Sequence, residues 1–297
     1  MTPPIRIRPA QTVHASAGAA LLLAACCGCA RAGEPPTLGY SGAVGFGYDS
    51  NPANAESGNT VPGTGYATAN VAASLTQRPA GPLALLLRGS LDGQQYFNYV
   101  GLSNAKATLL LRALYRPDGN FFAPTLALWG SAAAWQFERS MRNSGEYRGG
   151  AYASEQLSTA IKLRVGGYVS ERRAASSVFD LDHQAATLDA DWLLSDRLTA
   201  YLGYEFRYGG FATSSPPDSG VAAGAAAIAR DDAINRDGRP DTVYRLDGHA
   251  QIGTLGLNYA LSPWLALDVQ GLEAHTRSTA GDHYNRWIGT AGLLARF

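Results

Sequence analysis

The sequence predicts an all-β chain, a transmembrane antiparallel up-and-down β-barrel of about twelve strands, with ten or fourteen also open. Three observations predict it. Segments of strictly alternating polarity follow one another from Thr37 onward, turn residues separate them, and the charge content is low without any long apolar run.

Charged residues make up 16% of the 297 residues, against about 25% in an ordinary soluble domain. Lys and Arg number 24 and Asp and Glu 24, a formal net charge of zero. That balance argues against nucleic acid as a partner, which calls for a clustered basic surplus. No stretch reaches the roughly 20 continuous apolar residues a spanning helix needs. A chain of this kind can cross a bilayer only as a closed barrel, because backbone polar groups in lipid must pair among themselves.

Residues 1–32 read as an export signal, leaving 33–297 as the barrel. Arg6 and Arg8 give a positive start, Ala17 to Ala25 a short apolar stretch, and Ala30-Arg31-Ala32 a small-x-small cleavage pattern. Cys26, Cys27 and Cys29 all lie within it, so the remainder carries no thiol. Leu23-Ala24-Ala25-Cys26 also fits a lipoprotein box that would leave a lipid on Cys26, and both processing routes stay open.

The strands are expected at 37–49, 65–78, 83–98, 104–117, 121–139, 147–159, 161–177, 183–195, 198–213, 241–261, 264–279 and 284–297. In the third, Leu83, Leu85, Leu87, Gly89 and Leu91 alternate with Arg88, Ser90, Asp92 and Gln94. In the fourth, Ala107, Leu109, Leu111, Ala113 and Tyr115 oppose Lys106, Thr108 and Arg112; in the seventh, Leu163, Val165 and Val169 oppose Lys162, Arg164, Tyr168 and Ser170. In the ninth, Leu202, Tyr204, Phe206 and Tyr208 oppose Thr199, Glu205 and Arg207. Period two puts each set on its own face of a strand and on no common face of a helix.

Connections alternate between tight ones, such as Pro117-Asp118-Gly119 and Ser262-Pro263, and longer polar ones at 50–64, 139–146 and 214–240. Short periplasmic turns and longer outer loops are the expected pattern, with both termini periplasmic and an even strand number. Aromatics near segment ends, among them Tyr40, Tyr48, Trp135, Trp192, Trp264 and Trp287, fit two girdles at headgroup level.

This parity assigns to the lumen Arg88, Asp92, Lys106, Arg112, Lys162, Arg164, Asp189, Asp191, Glu205, Arg207, Asp268, Gln270, Arg286 and Arg296. A ring of one sign would mark a simple ion-selective pore. The mixture implies either paired charges that plug the lumen or a small polar channel.

No catalytic constellation is legible. The pairs His275/His283 and Asp231/Asp232 near outer loops accompany no nucleophile motif, and no enzyme or cofactor is expected. Asn235, Asp237 and Asp241 have the alternate spacing of a calcium loop, but Ala233 and Tyr244 stand where its end ligands belong, so an exposed turn is the better reading. The run Val221 to Ala229 could form a short helix, and the 214–240 loop is expected to be mobile or to fold into the mouth.

The chain end, Thr290-Ala291-Gly292-Leu293-Leu294-Ala295-Arg296-Phe297, resembles the C-terminal signal of bacterial outer-membrane proteins, with Gly292 and Phe297 at its marked positions. The resemblance implies reading by the barrel-assembly machinery. Tyr48-Asp49-Ser50-Asn51 after the first strand resembles the barrel domains of surface lipoprotein assembly modifiers and of exopolysaccharide-associated barrels. The assembly modifiers usually carry helical repeats before the barrel, for which there is no room between Ala32 and Thr37. The expected location is the outer membrane of a Gram-negative bacterium, with outer-membrane lipid and lipopolysaccharide as partners. The expected role is a channel or export pore for a small solute, polysaccharide or polypeptide. A closed structural or adhesive barrel working through its outer loops is the alternative.

Overall fold

A computed structural model describes residues 34–56, 62–79, 81–215, 220–236 and 239–297. The export signal and Cys26 lie outside them. The strands are β1 (Glu34–Asp49), β2 (Thr64–Arg78), β3 (Leu83–Tyr96), β4 (Asn104–Tyr115), β5 (Thr125–Phe137), β6 (Ser144–Gln156) and β7 (Ile161–Ala174). They continue with β8 (Leu181–Ser195), β9 (Leu198–Ser215), β10 (Ala227–Arg236), β11 (Arg239–Ala260), β12 (Leu265–Ser278) and β13 (His283–Arg296).

All belong to one 13-stranded sheet. Twelve form a closed up-and-down barrel, each antiparallel to its neighbour in sequence, except that β9 pairs directly with β11. Closure comes from β1 against β13, from Ser41↔Arg296 to Asp49↔Ile288. Every wall strand therefore has partners on both sides, the only way for a sheet to leave no bare edge in lipid.

Side chains alternate as the polarity pattern requires. Val44, Phe46, Leu91, Leu128, Val169 and Leu255 are all exposed on the outer face, a solvation that hydrocarbon, not water, would favour. The outer aromatics gather near the strand ends: Trp264 stacks on Phe297 (6.2 Å) at the tight-turn end, and Tyr48 meets Trp287 (6.3 Å) at the other.

The thirteenth strand, β10, falls where the sequence predicts a loop with a helical option. The structure has a short 3-10 turn at Gly220–Gly224 and then an extended strand. Beyond Gly248, β12 no longer pairs with β11, and β10 takes its place, from Ala227↔Arg245 to Arg236↔Arg239. Period two is present in β10, with Ala227, Ala229, Asp231 and Ala233 turned inward and Ile228, Arg230 and Asp232 exposed. A carboxylate on the buried face hid it.

The hairpin bends off the barrel wall at the facing pair Gly209↔Gly248. Gly209 has φ +139°, and a Cβ there would collide with the carbonyl of Asp182; one at Gly248 would collide with the carbonyl of Arg277. Past this hinge both faces of β11 are covered, since Val243 and Tyr244 are each 1% exposed. The apolar core consequently sits at the long-loop end, where protein lies on both sides of the hairpin. Ala233 and Ile234 pack with Ala53, Ala55, Tyr66, Tyr96 and Leu102. Val243 packs with Val178 and Phe179, and Tyr244 and Leu246 pack with Val221.

Candidate functional site

The candidate site is the inside of the barrel and the mouth that the hairpin covers. Register settles which residues share the inner face. On β3 and β4, Asp92 stands opposite Lys106, and Arg88 and Arg112 lie on the same face. On β7 and β8, Lys162 opposes Asp191 and Arg164 opposes Asp189. Glu205 and Arg207 share this face on β9, as do Asp268 and Gln270 on β12 and Arg286 on β13. Arg296 pairs in register with Ser41 at the tight-turn end.

These residues gather into separate local networks. Glu205 accepts hydrogen bonds from Arg207 Nε (2.7 Å) and from the Tyr168 hydroxyl (2.9 Å). Asp268 accepts from the Tyr201 hydroxyl (3.0 Å) and from Asn258 Nδ2 (3.1 Å). Asp92 accepts from Asn70 Nδ2 (2.6 Å), and Lys106 lies over the Trp135 ring (4.6 Å). Arg164 pairs with Asp189 at 3.5 Å, and Arg112 and Arg164 both lie over the Tyr152 ring. Such a ring face attracts cations. Arg286 is drawn to the mouth end, where it holds the buried Asp49.

Sequence reasoning missed the groups that close the mouth. Glu146 accepts from Arg148 (2.7 Å) and from the indole Nε1 of Trp135 (3.2 Å). Arg172 donates to Ser144 Oγ (2.8 Å) and lies over the Trp135 ring. Glu146 and Arg148 alternate with Gly145 and Tyr147, so period two could have found them. Arg142, on the short turn between β5 and β6, is ion-paired with Asp231 of β10, which is fully buried. Arg139 pairs with Asp232 beside it at 3.2 Å, with both side chains half exposed. Nothing local predicts these contacts, because the partners are 89 residues apart in the case of Arg142 and Asp231. Beneath the hairpin lies a chamber of about 450 Å³ lined in part by Arg142, Glu146, Arg148, Arg172, Arg207 and Arg286.

The remaining sequence candidates are dispersed. Asp231 and Asp232 sit in the mouth, whereas His275 faces outward on β12, bonded to Glu273 (3.1 Å) and Asn285 (2.8 Å). The segment read as a calcium-type turn is two paired strands and their connection: Asp231 opposes Asp241, and Asn235 opposes Pro240. Asp237 and the side chain of Asn235 lie outside the described residues. Among the described residues no group of His, Cys, Asp and Glu side chains is placed to hold a metal. Phe297 exchanges backbone hydrogen bonds with Tyr40, closing the barrel at its last residue, and Gly292 faces Gly45 across the same seam.

Closure, strand order and a polar inner face decide the comparison with solved structures. The fold is that of an outer-membrane barrel. The chain is similar to an outer membrane channel from Pseudomonas putida F1, with a TM-score of 0.54 and 11% identity, covering 90% of this chain and 98% of that chain. At this identity the likeness speaks for the fold alone. Lower-scoring similarities include the NanC porin (TM-score 0.46, 7% identity, 86% of this chain and 98% of that chain). The outer membrane channel DcaP of Acinetobacter baumannii is another (0.43, 10%, 88% and 97%). No protein-family model and no curated protein matches the sequence.

Proposed function

We propose that the chain is an outer-membrane channel for a small solute, held shut at its outer mouth by the β10–β11 hairpin. The observation that carries this reading is a gradient of solvent access along the inner face. Toward the tight turns, Arg164 and Asp189 have side chains 37% and 40% exposed, while at the mouth those of Asp49 and Asp231 are 0% exposed. A lumen packed by its own side chains would be dry throughout; this one is wet from one end and stopped at the other. The stopper is β10 with the stretch of β11 that β12 no longer pairs, and β10 lies outside the twelve-stranded wall, so it can move without breaking the barrel.

In the same reading the tight turns and both termini face the periplasm and the long loops face outward. Lipopolysaccharide surrounds the outer face, and the assembly machinery reads the strand ending in Gly292 and Phe297. The Tyr48-Asp49-Ser50-Asn51 turn works locally as a clamp on loop and seam, so its likeness to assembly modifiers adds no export role.

The test is planar-bilayer recording of the native protein beside a variant with residues 220–236 replaced by a short Gly-Ser linker. Excision should raise the conductance of each open event and the open fraction. The fully buried mouth also favours the second reading, a closed barrel acting through its outer loops. Silence from both proteins would establish that reading and remove the first.

A further inference from the structure

One arc of the inner face carries two cations with no carboxylate between them. In the half of the barrel nearest the tight turns, β3 and β4 present Arg88 and Arg112 and β12 presents Asp268, while on the adjacent strands β7 and β8 Lys162 and Arg164 stand directly opposite Asp191 and Asp189, and Arg296 ends β13. Ring order sets β3 and β4 across the lumen from β9 and β11, with Asp268 on the next strand and Asp191 on the one before. Arg88 and Arg112 thus face Asp191 and Asp268 across the opening.

Most of these charges are also free of one another. Arg164 and Asp189 are the pair in contact; among the described residues Arg88, Arg112, Lys162, Asp191 and Asp268 form no ion pair within 4.0 Å. Arg88 and Arg112 lie diagonally on adjacent strands, since Arg88 opposes Leu110 and Arg112 opposes Leu86, with no carboxylate between them. The Arg112 Nε is buried without a hydrogen-bond partner among the described residues. Neighbouring like charges on a sheet are destabilising. A barrel needing only stability would interleave its signs, as Glu146 with Arg148 and Glu205 with Arg207 do nearer the mouth.

We infer that this lumen selects dipolar solutes, small molecules bearing a carboxylate at one end and an ammonium group at the other; the inference rests on the channel reading above. A lone anion entering between the walls gains at Arg88 and Arg112 and loses at Asp191 and Asp268, and a lone cation does the reverse. A zwitterion turns its carboxylate to the guanidiniums and its ammonium to the carboxylates, and gains at both. Low-dielectric walls strengthen each contact relative to bulk water. The class that fits is an amino-acid-like solute.

Liposome swelling with erythritol and 4-aminobutyrate tests this, since both are four-carbon solutes without net charge. The native protein and the 220–236 excision variant should admit 4-aminobutyrate at least about threefold faster than erythritol. The double variant Arg88→Glu/Arg112→Glu makes both walls acidic and should bring the ratio to about one. Adding Asp191→Arg and Asp268→Arg inverts the field and should restore the preference. Heat-modifiable gel migration reports whether each variant is folded, and the native ratio stands without any variant. Equal entry of the two solutes through the native or excised barrel overturns the inference and leaves the channel intact. Entry of neither through either protein removes the channel reading itself.

Discussion

Asp49 and Arg286 tie the first strand of the barrel to its last. The two are 237 residues apart, and Arg286 Nε donates to Asp49 Oδ1 at 3.0 Å beside a second contact from its Nη2 to Oδ2. The Tyr96 hydroxyl donates to the same carboxylate (3.2 Å), and Arg286 reaches on to Asn54 Oδ1 (3.2 Å). Asn51 completes the clamp: its Nδ2 donates to the carbonyls of Ala55 (2.9 Å) and Asn285 (3.1 Å). One turn thereby fixes the seam and tilts the first long loop inward, where Ala53 and Ala55 meet the hairpin.

Replacing Asp49 by Asn should leave the guanidinium of Arg286 uncompensated in a largely buried site, a loss of about 3–5 kcal/mol. Arg286→Gln should cost a similar amount, and the double variant much less than the sum, because the partners are coupled. Urea midpoints of the refolded barrel in detergent measure all three. Strictly additive losses would show that the pair does not act as a unit.

The two ionic contacts on β10 should behave differently. Asp231 is fully buried against Arg142, so Asp231→Asn removes a desolvated charge pair and should unseat the hairpin, raising the open fraction several-fold, a change of about 1–2 kcal/mol or more. Asp232 and Arg139 are half exposed, and Asp232→Asn should change opening by less than about 0.5 kcal/mol. Single-channel recordings of the two variants make the comparison, and equal effects would contradict the latch.

Hinge geometry gives a third expectation. Gly248→Val must push its side chain into the carbonyl of Arg277 and should throw the hairpin out of the mouth while the wall survives. Gly253, five residues further along β11 and on the opposite face, has open space where a Cβ would go, so Gly253→Ala should change little. Limited proteolysis within 220–236 reports the seating of the hairpin: fast cleavage in Gly248→Val with native-like cleavage in Gly253→Ala is the expected result.

The last residue should matter more to biogenesis than to the finished barrel. Phe297 is 75% exposed beside Trp264, so Phe297→Ala should shift the stability of detergent-refolded protein by no more than about 0.5–1 kcal/mol. If the assembly machinery reads this strand, the fraction folded in the outer membrane of cells should fall steeply. Parallel losses in both assays would make Phe297 a packing residue and nothing more.

Much of the barrel was legible because one periodic rule governs the wall. Leu91 and Asp92, or Val165 and Arg164, face opposite sides for the same reason, so polarity alone located twelve strands and sorted Arg88, Lys106, Arg112 and Asp189 onto one face. The rule lost its grip at β10. There Asp231 sits on the buried side because Arg142 neutralises it from another turn, and no local pattern records a partner 89 residues away.

By itself the sequence determined the closed, lipid-facing sheet, since alternation at period two has one solution once every backbone group must be paired in hydrocarbon. Tertiary structure alone decided that the β10–β11 hairpin covers the mouth, that Asp49 clamps the seam through Arg286, and that Arg88 and Arg112 lie across the lumen from Asp191 and Asp268. Each of these depends on which strands come to lie beside or across from one another. That is a property of the ring formed when β1 meets β13, and it is written in no single segment of the chain.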